Sequence, residues 1–367
     1  MKICIVCPYG IDSPGGVWNH VFNLTQQLKK KKIKYILITP ESKTNIYDHN
    51  NHYKIGKTFN INSGGSKSQI TLSPFINNQV KELISKYKPD IIHLHEPFAG
   101  SLPISFLLNS EAINIATFHS NQGTNLYKFG LNNIFKPLDK KLHGRIAVSQ
   151  TAKKFINTYF QNIYEIIPNG INTEFFIKAK KINKITDNKL NIIFIGRNDQ
   201  RKGLATLIKS LKKYTFNFSI RLIILGNKVT NLKINNIEII NPGFVSESTK
   251  AEYLQSSDVL CAPSLEKESF GIILLEAMAS NTAIIASDIQ GYNEIITNNF
   301  NGLLIEPNNI YQLAQSIKKL YDDKSQKQKL ITNANLYIKN LNWDNISDKI
   351  INTYKNTLYN KKIHIIE

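Results

Sequence analysis

The sequence predicts an α/β protein made of two doubly wound, Rossmann-like domains. Three observations carry that prediction. Short apolar runs of strand length alternate with helical spacing along most of the 367 residues. That length suffices for two separate cores. A Lys- and Asn-rich stretch at 179–189 separates two such α/β series, between which no sequence repeat is visible.

In the first series, 2–6 is a strand closed by the glycine-rich loop 8–16. Val17, Val21, Leu24 and Leu28 then fall at helical spacing over 17–30. Lys29 to Lys32 end that helix, where cations favour its C-terminus. A strand at 34–39, a helix at 75–87 and a strand at 90–94 follow; the polar stretch 60–73, with Gly64-Gly65, is expected to be a mobile loop. Next come a strand at 113–118 ending at His119, a strand at 145–148, a helix at 151–159 capped by Ser149, and a strand at 164–167 before Pro168-Asn169-Gly170.

The second series opens with strand 190–195, loop 196–202 and helix 203–213. Strands at 219–225 and 237–240, helix 247–255 and strand 258–262 lead to helix 271–279. Strand 282–286, helix 291–297, strand 302–305 and helices 310–320 and 325–341 complete it, and Trp343 leads into a last helix over 344–358.

The chemistry concentrates in 264–280, S-L-E-K-E-S-F-G-I-I-L-L-E-A-M-A-S. Strand, polar loop, then helix is the unit that sets a ligand at the carboxyl edge of a doubly wound sheet. Glu268 falls in the loop. Glu276 falls about one and a half turns into an otherwise apolar helix, where an unpaired carboxylate is costly. The free N–H groups near Phe270, Gly271 and Ile272 suit a phosphate. A capped core helix behind a solvated charged loop explains the same residues without any ligand. Arg197, Arg201 and Lys202, beside Gly196 and Gly203, are a second feature: arginine binds a pyrophosphate bidentately and lysine as a point charge. In the first series the Gly15-Gly16 loop, His95-Glu96 and His119-Ser120 all fall at strand ends. Gly15-Gly16 lacks the full G-x-G-x-x-G pattern.

The net charge of +19 favours anionic partners such as a nucleotide or an acidic membrane surface, although scattered lysine on a generally basic surface accounts for it equally. No basic stripe with interleaved aromatics points to nucleic acid. Cys4 and Cys7 sit at odd spacing on a strand, facing opposite sides, so a redox or metal pair is not expected; three buried thiols suit a reducing cytoplasm. No apolar run approaches transmembrane length, and the first is too short for a signal peptide, so a soluble or peripheral protein is expected.

These motifs resemble glycosyltransferase family 4. The matching segments are Cys7-Pro-Tyr, Pro14-Gly-Gly-Val17, His93-Leu-His-Glu-Pro97, Ala116-Thr-Phe-His119, Gly144-Arg-Ile-Ala-Val-Ser149 and Ile167-Pro-Asn-Gly170. They continue with Phe194-Ile-Gly-Arg197, Arg201-Lys-Gly203, Ser257-Asp-Val-Leu-Cys-Ala-Pro263 and Glu268-Ser-Phe-Gly-Ile-Ile-Leu-Leu-Glu-Ala-Met-Ala279. The resemblance implies the GT-B architecture, two Rossmann-like domains facing a central cleft. It implies an acceptor domain at 1–178, with a helix at about 344–360 packing back on it, and a donor domain at 190–343. Within the family the chain most resembles the bacterial enzymes that place the first mannose on phosphatidylinositol, on the cytoplasmic face of the membrane.

Carried over position by position, the resemblance gives the following expectations. Gly16 lets a helix N-terminus approach the donor pyrophosphate, with Tyr9 nearby. Arg197 and Lys202, beside Arg201, neutralise the diphosphate leaving group. Glu276 accepts from the ribose hydroxyls; Glu268, with the N–H groups of Ser269, Phe270, Gly271 and Ile272, holds the donor sugar. His119 orients that sugar from across the cleft. Val245, Glu247 and Lys250 match the nucleobase site, where the Glu247 carboxylate favours guanine, hence GDP-mannose. No permanent cofactor and no D-x-D metal site is expected. Trp18, Lys67 and Gln69 face the acceptor, an anionic phospholipid. Here the chain departs from its closest relatives: Trp18 replaces a glutamine, Phe98 an asparagine, and the loop 63–69 lacks an arginine for the lipid phosphate. Three alternatives stay open: another nucleotide sugar such as UDP-glucose or UDP-N-acetylglucosamine, another acceptor, and a non-catalytic nucleotide-binding module. Oligomeric state and divalent-ion dependence are not legible.

Overall fold

The computed structural model describes residues 1–367 except 13–14, 44–50, 64–65, 122–131, 186, 198, 267 and 367; side chains are further excepted at 61–63, 66–68, 74, 132–133 and 362–366. Its contacts divide the chain into two units, Met1–Gly170 with Trp343–Glu367, and Ile171–Asn342.

The first unit begins β1 (Lys2–Val6), α1 (Gly16–Lys30), β2 (Lys34–Thr39) and β3 (His52–Lys54), then the pair β4 (Thr58–Ser63) and β5 (Ser66–Thr71). It continues α2 (Asn77–Tyr87), β6 (Ile91–His95), α3 (Ser101–Asn109), β7 (Ile113–Phe118), α4 (Asn132–Asp139), β8 (Gly144–Ala147), α5 (Gln150–Asn157) and β9 (Glu165–Ile166). Seven strands form one parallel sheet in the order β3-β2-β1-β6-β7-β8-β9. β6 and β7 are buried along their whole length, as their near-continuous apolar sequences require of strands covered on both faces. The strand order reverses between β1 and β6, so the loops after these strands open at a topological switch point.

The second unit runs α6 (Thr173–Ile177), β10 (Leu190–Ile195), α7 (Leu204–Lys213), β11 (Ile220–Leu225), β12 (Ile237–Gly243), α8 (Glu247–Gln255), β13 (Val259–Ala262) and α9 (Ile272–Ala279). β14 (Ala283–Ser287), β15 (Leu303–Ile305), α10 (Ile310–Asp322) and α11 (Lys324–Ile338) complete it. Its six parallel strands lie in the order β12-β11-β10-β13-β14-β15, with the switch point between β10 and β13. The chain then returns to the first unit as α12 (Trp343–Ile366), which lies beside α1 and sends the Tyr354 hydroxyl to His93 Nδ1, 2.6 Å away.

Four expectations change. Residues 60–63 and 66–71, expected as loop, are strand: β4 and β5 pair antiparallel from Thr58↔Thr71 to Ser63↔Ser66, and Gly64 and Gly65 lie outside the described residues. The Gly10 N–H donates to the Gln69 carbonyl at 3.0 Å and the Ser101 hydroxyl to the Thr71 carbonyl at 3.1 Å, so tertiary contacts hold a polar hairpin that composition reads as loop. Residues 291–295 form turns rather than the start of a helix over 291–297, because Gly291 adopts φ +93° against the Glu268 carbonyl. α3, α4 and α6 were not foreseen; Pro103 falls in the first turn of α3 and Pro137 inside α4, where they mask the helical pattern. Residues 171–178, expected with the first domain, belong to the second unit: Phe176 is buried there and its carbonyl accepts from Gln255 Nε2 at 2.7 Å.

Candidate active site

In the second unit the site forms where the loops after β10 and β13 flank the switch point. Gly203 ends the first loop with φ +74°, and a Cβ there would lie 1.8 Å from the Pro263 carbonyl oxygen. Only glycine allows that approach. The Leu265 N–H donates to the Arg201 carbonyl at 2.7 Å and ties the loops together. Gly203→Ala should therefore cost about 3 kcal/mol or more of stability, measured by denaturant unfolding followed by circular dichroism. A change under ~1 kcal/mol would show that the loops can separate freely.

The joined loops bring Lys202 Nζ within 2.6 Å of Glu268 Oε1. The Ser264 hydroxyl donates to the same oxygen at 3.3 Å and lies 3.0 Å from the hydroxyl of the buried Tyr292. Burial, then the Glu268 charge, hold the Tyr292 hydroxyl well above its ordinary pKa, so it stays a neutral donor. Arg197 is exposed just after β10. Arg201 differs: its guanidinium is held by the Asp199 carboxylate, at 3.1 Å from Nε to Oδ2. Asp199 also caps the short turn Gln200–Lys202, so Arg201 acts within its own loop, and Arg197 and Lys202 carry the cationic charge forward.

α9 starts at Ile272 after Gly271, with Ser269 half-buried and Phe270 buried just before it. Glu276 on this helix is only 3% exposed. Its Oε1 accepts from Lys250 Nζ at 2.8 Å, and among the described residues its buried Oε2 has no hydrogen-bond partner. Burial raises the Glu276 carboxyl above its ordinary pKa, and Lys250 opposes the shift. For Lys250 burial works against the charge, and Glu276 with Glu247 outweigh it, so the ammonium is held above its usual value. Glu247, exposed in the first turn of α8, bonds the same ammonium at 2.8 Å, and Val245 is half-buried just before that helix. A buried carboxylate oxygen without a partner is free to accept a hydrogen bond from a donor that reaches it.

In the first unit, Tyr9 follows β1 and is bridged to Ile70 of the hairpin. Burial, the Glu96 carboxylate and Cys7 hold its hydroxyl above the ordinary range. Gly16 opens α1, with Gly15 as its cap. His119 follows β7 and is 7% exposed. It belongs to a cluster the sequence does not announce: His20 on α1, His93 and His95 on β6, and His119, with ring centroids 4.3–5.3 Å apart for neighbouring pairs. His20 Nδ1 lies 2.8 Å from Asn169 Oδ1, and the ring stands edge-on to Trp343 at 5.0 Å. Burial keeps all four rings neutral, lowering His20 to about 4, His93 to about 3, and His95 and His119 well below 6.5. Among the described residues no group of three or more His, Cys, Asp or Glu is placed to hold a metal ion.

The acceptor-side expectations separate. Gln69 stands on β5 against Gly10, where its Oε1 would meet a Cβ at 3.0 Å. Lys67 is on the same strand, and its side chain lies outside the described residues. Trp18 is buried in α1, with its ring 6.3 Å from Phe22. Phe98 is core: it stacks on Phe135 at 5.1 Å and contacts Phe160 and Phe118. Sequence reasoning missed Ser264 and Tyr292, which only the turn at Gly291 places beside Glu268. It also missed Glu96 as an anchor of the His119 turn, for which its adjacency to His95 at a strand end was the available signal. The three cysteines are free and buried, and burial raises Cys7 to about 12, so none is a reactive thiol.

Comparisons with known proteins bear on the family and the fold. The family profile described as Glycosyltransferase Family 4 matches residues 14–175, and that described as Glycosyl transferases group 1 matches residues 175–337. The chain is 30% identical over 369 residues to the phosphatidyl-myo-inositol mannosyltransferase of Mycolicibacterium smegmatis, covering 97% of this chain and 94% of that one. A glycosyltransferase from Rickettsia africae superposes with a TM-score of 0.75 at 22% identity, covering 97% of this chain and 98% of that one. The Anabaena protein Alr3699/HepE, solved with UDP and glucose, superposes at 0.73 and 16% identity, covering 97% and 100%. The chain thus belongs to glycosyltransferase family 4 and is a hexosyltransferase with the two-domain GT-B fold.

Proposed function

We propose that the protein transfers mannose, with retention of configuration, from GDP-mannose to a phosphatidylinositol-type lipid at the cytoplasmic face of the membrane. The observation that carries the reading is the meeting of Lys202 and Glu268 at 2.6 Å beside the switch point of the second unit. In this reading Arg197 and Lys202 neutralise the departing diphosphate. Glu268 and the N–H groups entering α9 hold the sugar, and His119 orients it. The free oxygen of Glu276 accepts from the ribose. Glu247 accepts from guanine N1–H and the 2-amino group. The C1–O bond to phosphate breaks through an oxocarbenium-like state. The acceptor oxygen bonds to C1 from the same face, and its proton passes to the departing phosphate oxygen.

The mannosyl donor and inositol lipid follow the name of the Mycolicibacterium relative. Leu72 and Phe75, 51% and 89% exposed ahead of α2, fit contact with a lipid surface. Among the described residues no helix is long and apolar enough to cross a membrane. A second reading keeps the chemistry but takes a UDP sugar; it is favoured by the Anabaena structure holding UDP and glucose.

Radiolabelled GDP-mannose, UDP-glucose and UDP-N-acetylglucosamine, each offered with phosphatidylinositol vesicles and with vesicles lacking inositol lipid, separate the readings. Lipid-soluble label is expected from GDP-mannose. Label arriving only from a UDP sugar selects the second reading, and transfer to lipids lacking inositol displaces the acceptor.

A further inference from the structure

We propose that His95 is a positioning residue that fixes the tautomer of His119, so that His119 presents a protonated Nδ1 to the donor sugar; this rests on the reading of His119 as the group that orients that sugar. β6 and β7 are parallel neighbours in register, with His95 opposite Thr117. The end of β6 therefore lies under the turn that carries His119. His95 Nδ1 is 3.0 Å from His119 Nε2, and the rings are stacked at 29°. One of these two nitrogens carries the proton.

The surroundings decide which. His95 is fully buried, and its Nε2 faces no hydrogen-bonding partner among the described residues. The neighbouring rings offer it nothing. Both nitrogens of His93 are engaged, by the Tyr354 hydroxyl at 2.6 Å and the Thr117 hydroxyl at 2.7 Å. His20 turns its Nδ1 to Asn169, and its buried Nε2 makes no hydrogen bond to His95 or to any other described residue. Suppose His119 donated from Nε2. The neutral His95 ring would then carry its proton on Nε2, as a buried N–H without an acceptor. Suppose instead His95 donates from Nδ1. Its Nε2 is then only a bare lone pair, and a buried orphan acceptor is tolerated better than a buried orphan N–H. Burial keeps both rings neutral, which excludes a shared extra proton. The arrangement leaves His119 with its lone pair on Nε2 and its proton on Nδ1.

The backbone is fixed as firmly as the ring. Glu96, next in sequence, accepts the N–H of His119 at 2.6 Å and of Ser120 at 2.8 Å through one carboxylate oxygen. It does so from a left-handed conformation, φ +48°, that a non-glycine residue adopts only when its surroundings impose it. Consecutive residues at the end of β6 thus set both the tautomer and the position of His119.

Asparagine places an amide N–H near the site of a histidine Nδ1, whereas glutamine places it near Nε2. His95→Asn is therefore expected to keep turnover within about 3-fold of wild type. His95→Gln and His95→Ala are expected to lose about 10- to 100-fold in kcat, with donor KM nearly unchanged. Nitrogen-15 spectra of the labelled wild-type protein should show His119 as the Nδ1–H tautomer. An Nε2–H tautomer overturns the inference, and so does wild-type turnover in both His95→Gln and His95→Ala. The spectrum decides even where a variant fails to fold. His119→Ala separates the two levels: wild-type rates there overturn the reading of His119 itself. A slow His119→Ala beside unaffected His95→Gln and His95→Ala overturns only the role of His95.

Discussion

Lys202→Ala is expected to lower kcat by about 10²- to 10³-fold, with a smaller change in donor KM. The ammonium lies 2.6 Å from Glu268 and is 24% exposed, so it sits where fixed charge acts with little screening. Negative charge on a diphosphate grows as its bond to the sugar breaks, so a fixed cation stabilises the transition state more than the ground state. Among the described residues the substitution also leaves Glu268 with only the longer 3.3 Å contact from Ser264, loosening the carboxylate proposed to hold the sugar. Lys202→Arg should recover part of the rate, since it restores charge but not the compact ammonium. Steady-state kinetics at saturating donor measure both. A Lys202→Ala rate within 3-fold of wild type, roughly 0.6 kcal/mol of barrier, would remove this lysine from the mechanism.

The buried histidine cluster should make the first unit acid-labile well above the pH at which most carboxylates titrate. His20 and His93 are lowered to about 4 and about 3, and His95 and His119 well below 6.5, all chiefly by burial. Unfolded, each ring binds a proton as pH falls through about 6.5. The unfolded state therefore holds more protons in this window. The cluster's contribution is complete above pH 6.5 and is lost as pH falls toward the folded pKa values, at about 1.4 kcal/mol per unit for each ring. Glu96 acts in the opposite sense. Burial raises its carboxyl, so the folded state takes up its proton first and gains as pH falls through that raised value. Four rings against one carboxyl leave a net loss of stability between pH 7 and 5. The chain's two tryptophans, Trp18 and Trp343, both belong to the first unit, so urea unfolding followed by their fluorescence reads that unit selectively. Equal stability at pH 7 and pH 5 would show that the rings titrate normally.

Much of this architecture is legible in the sequence because parallel strands buried on both faces must be nearly continuous apolar runs. β1, β6, β7 and β10 read that way directly. The strand–loop–helix around Glu268 and Glu276 was legible for the complementary reason: a carboxylate inside an apolar helix has no place in a bland core. What escaped the sequence depends on partners far along the chain. The hairpin of β4 and β5 is polar and gains its order from Gly10 and Ser101. The histidine cluster joins residues of α1, β6 and the turn after β7, and only His93 and His95 share a strand. Phe98 reads in the sequence as a change at the acceptor site, yet its ring belongs to the aromatic core with Phe135 and Phe160. Local spacing cannot distinguish these outcomes, because the deciding contacts are tertiary.

The second unit is proposed to bind a guanosine diphosphate-linked sugar through Lys202, Glu276 and Glu247. Calorimetric titration of GDP and UDP into the whole protein tests it most directly. GDP is expected to bind at least about 10-fold tighter than UDP, a difference of ~1.4 kcal/mol, with the preference reduced in Glu247→Ala. Tighter binding of UDP, or a GDP preference unchanged in Glu247→Ala, would contradict it.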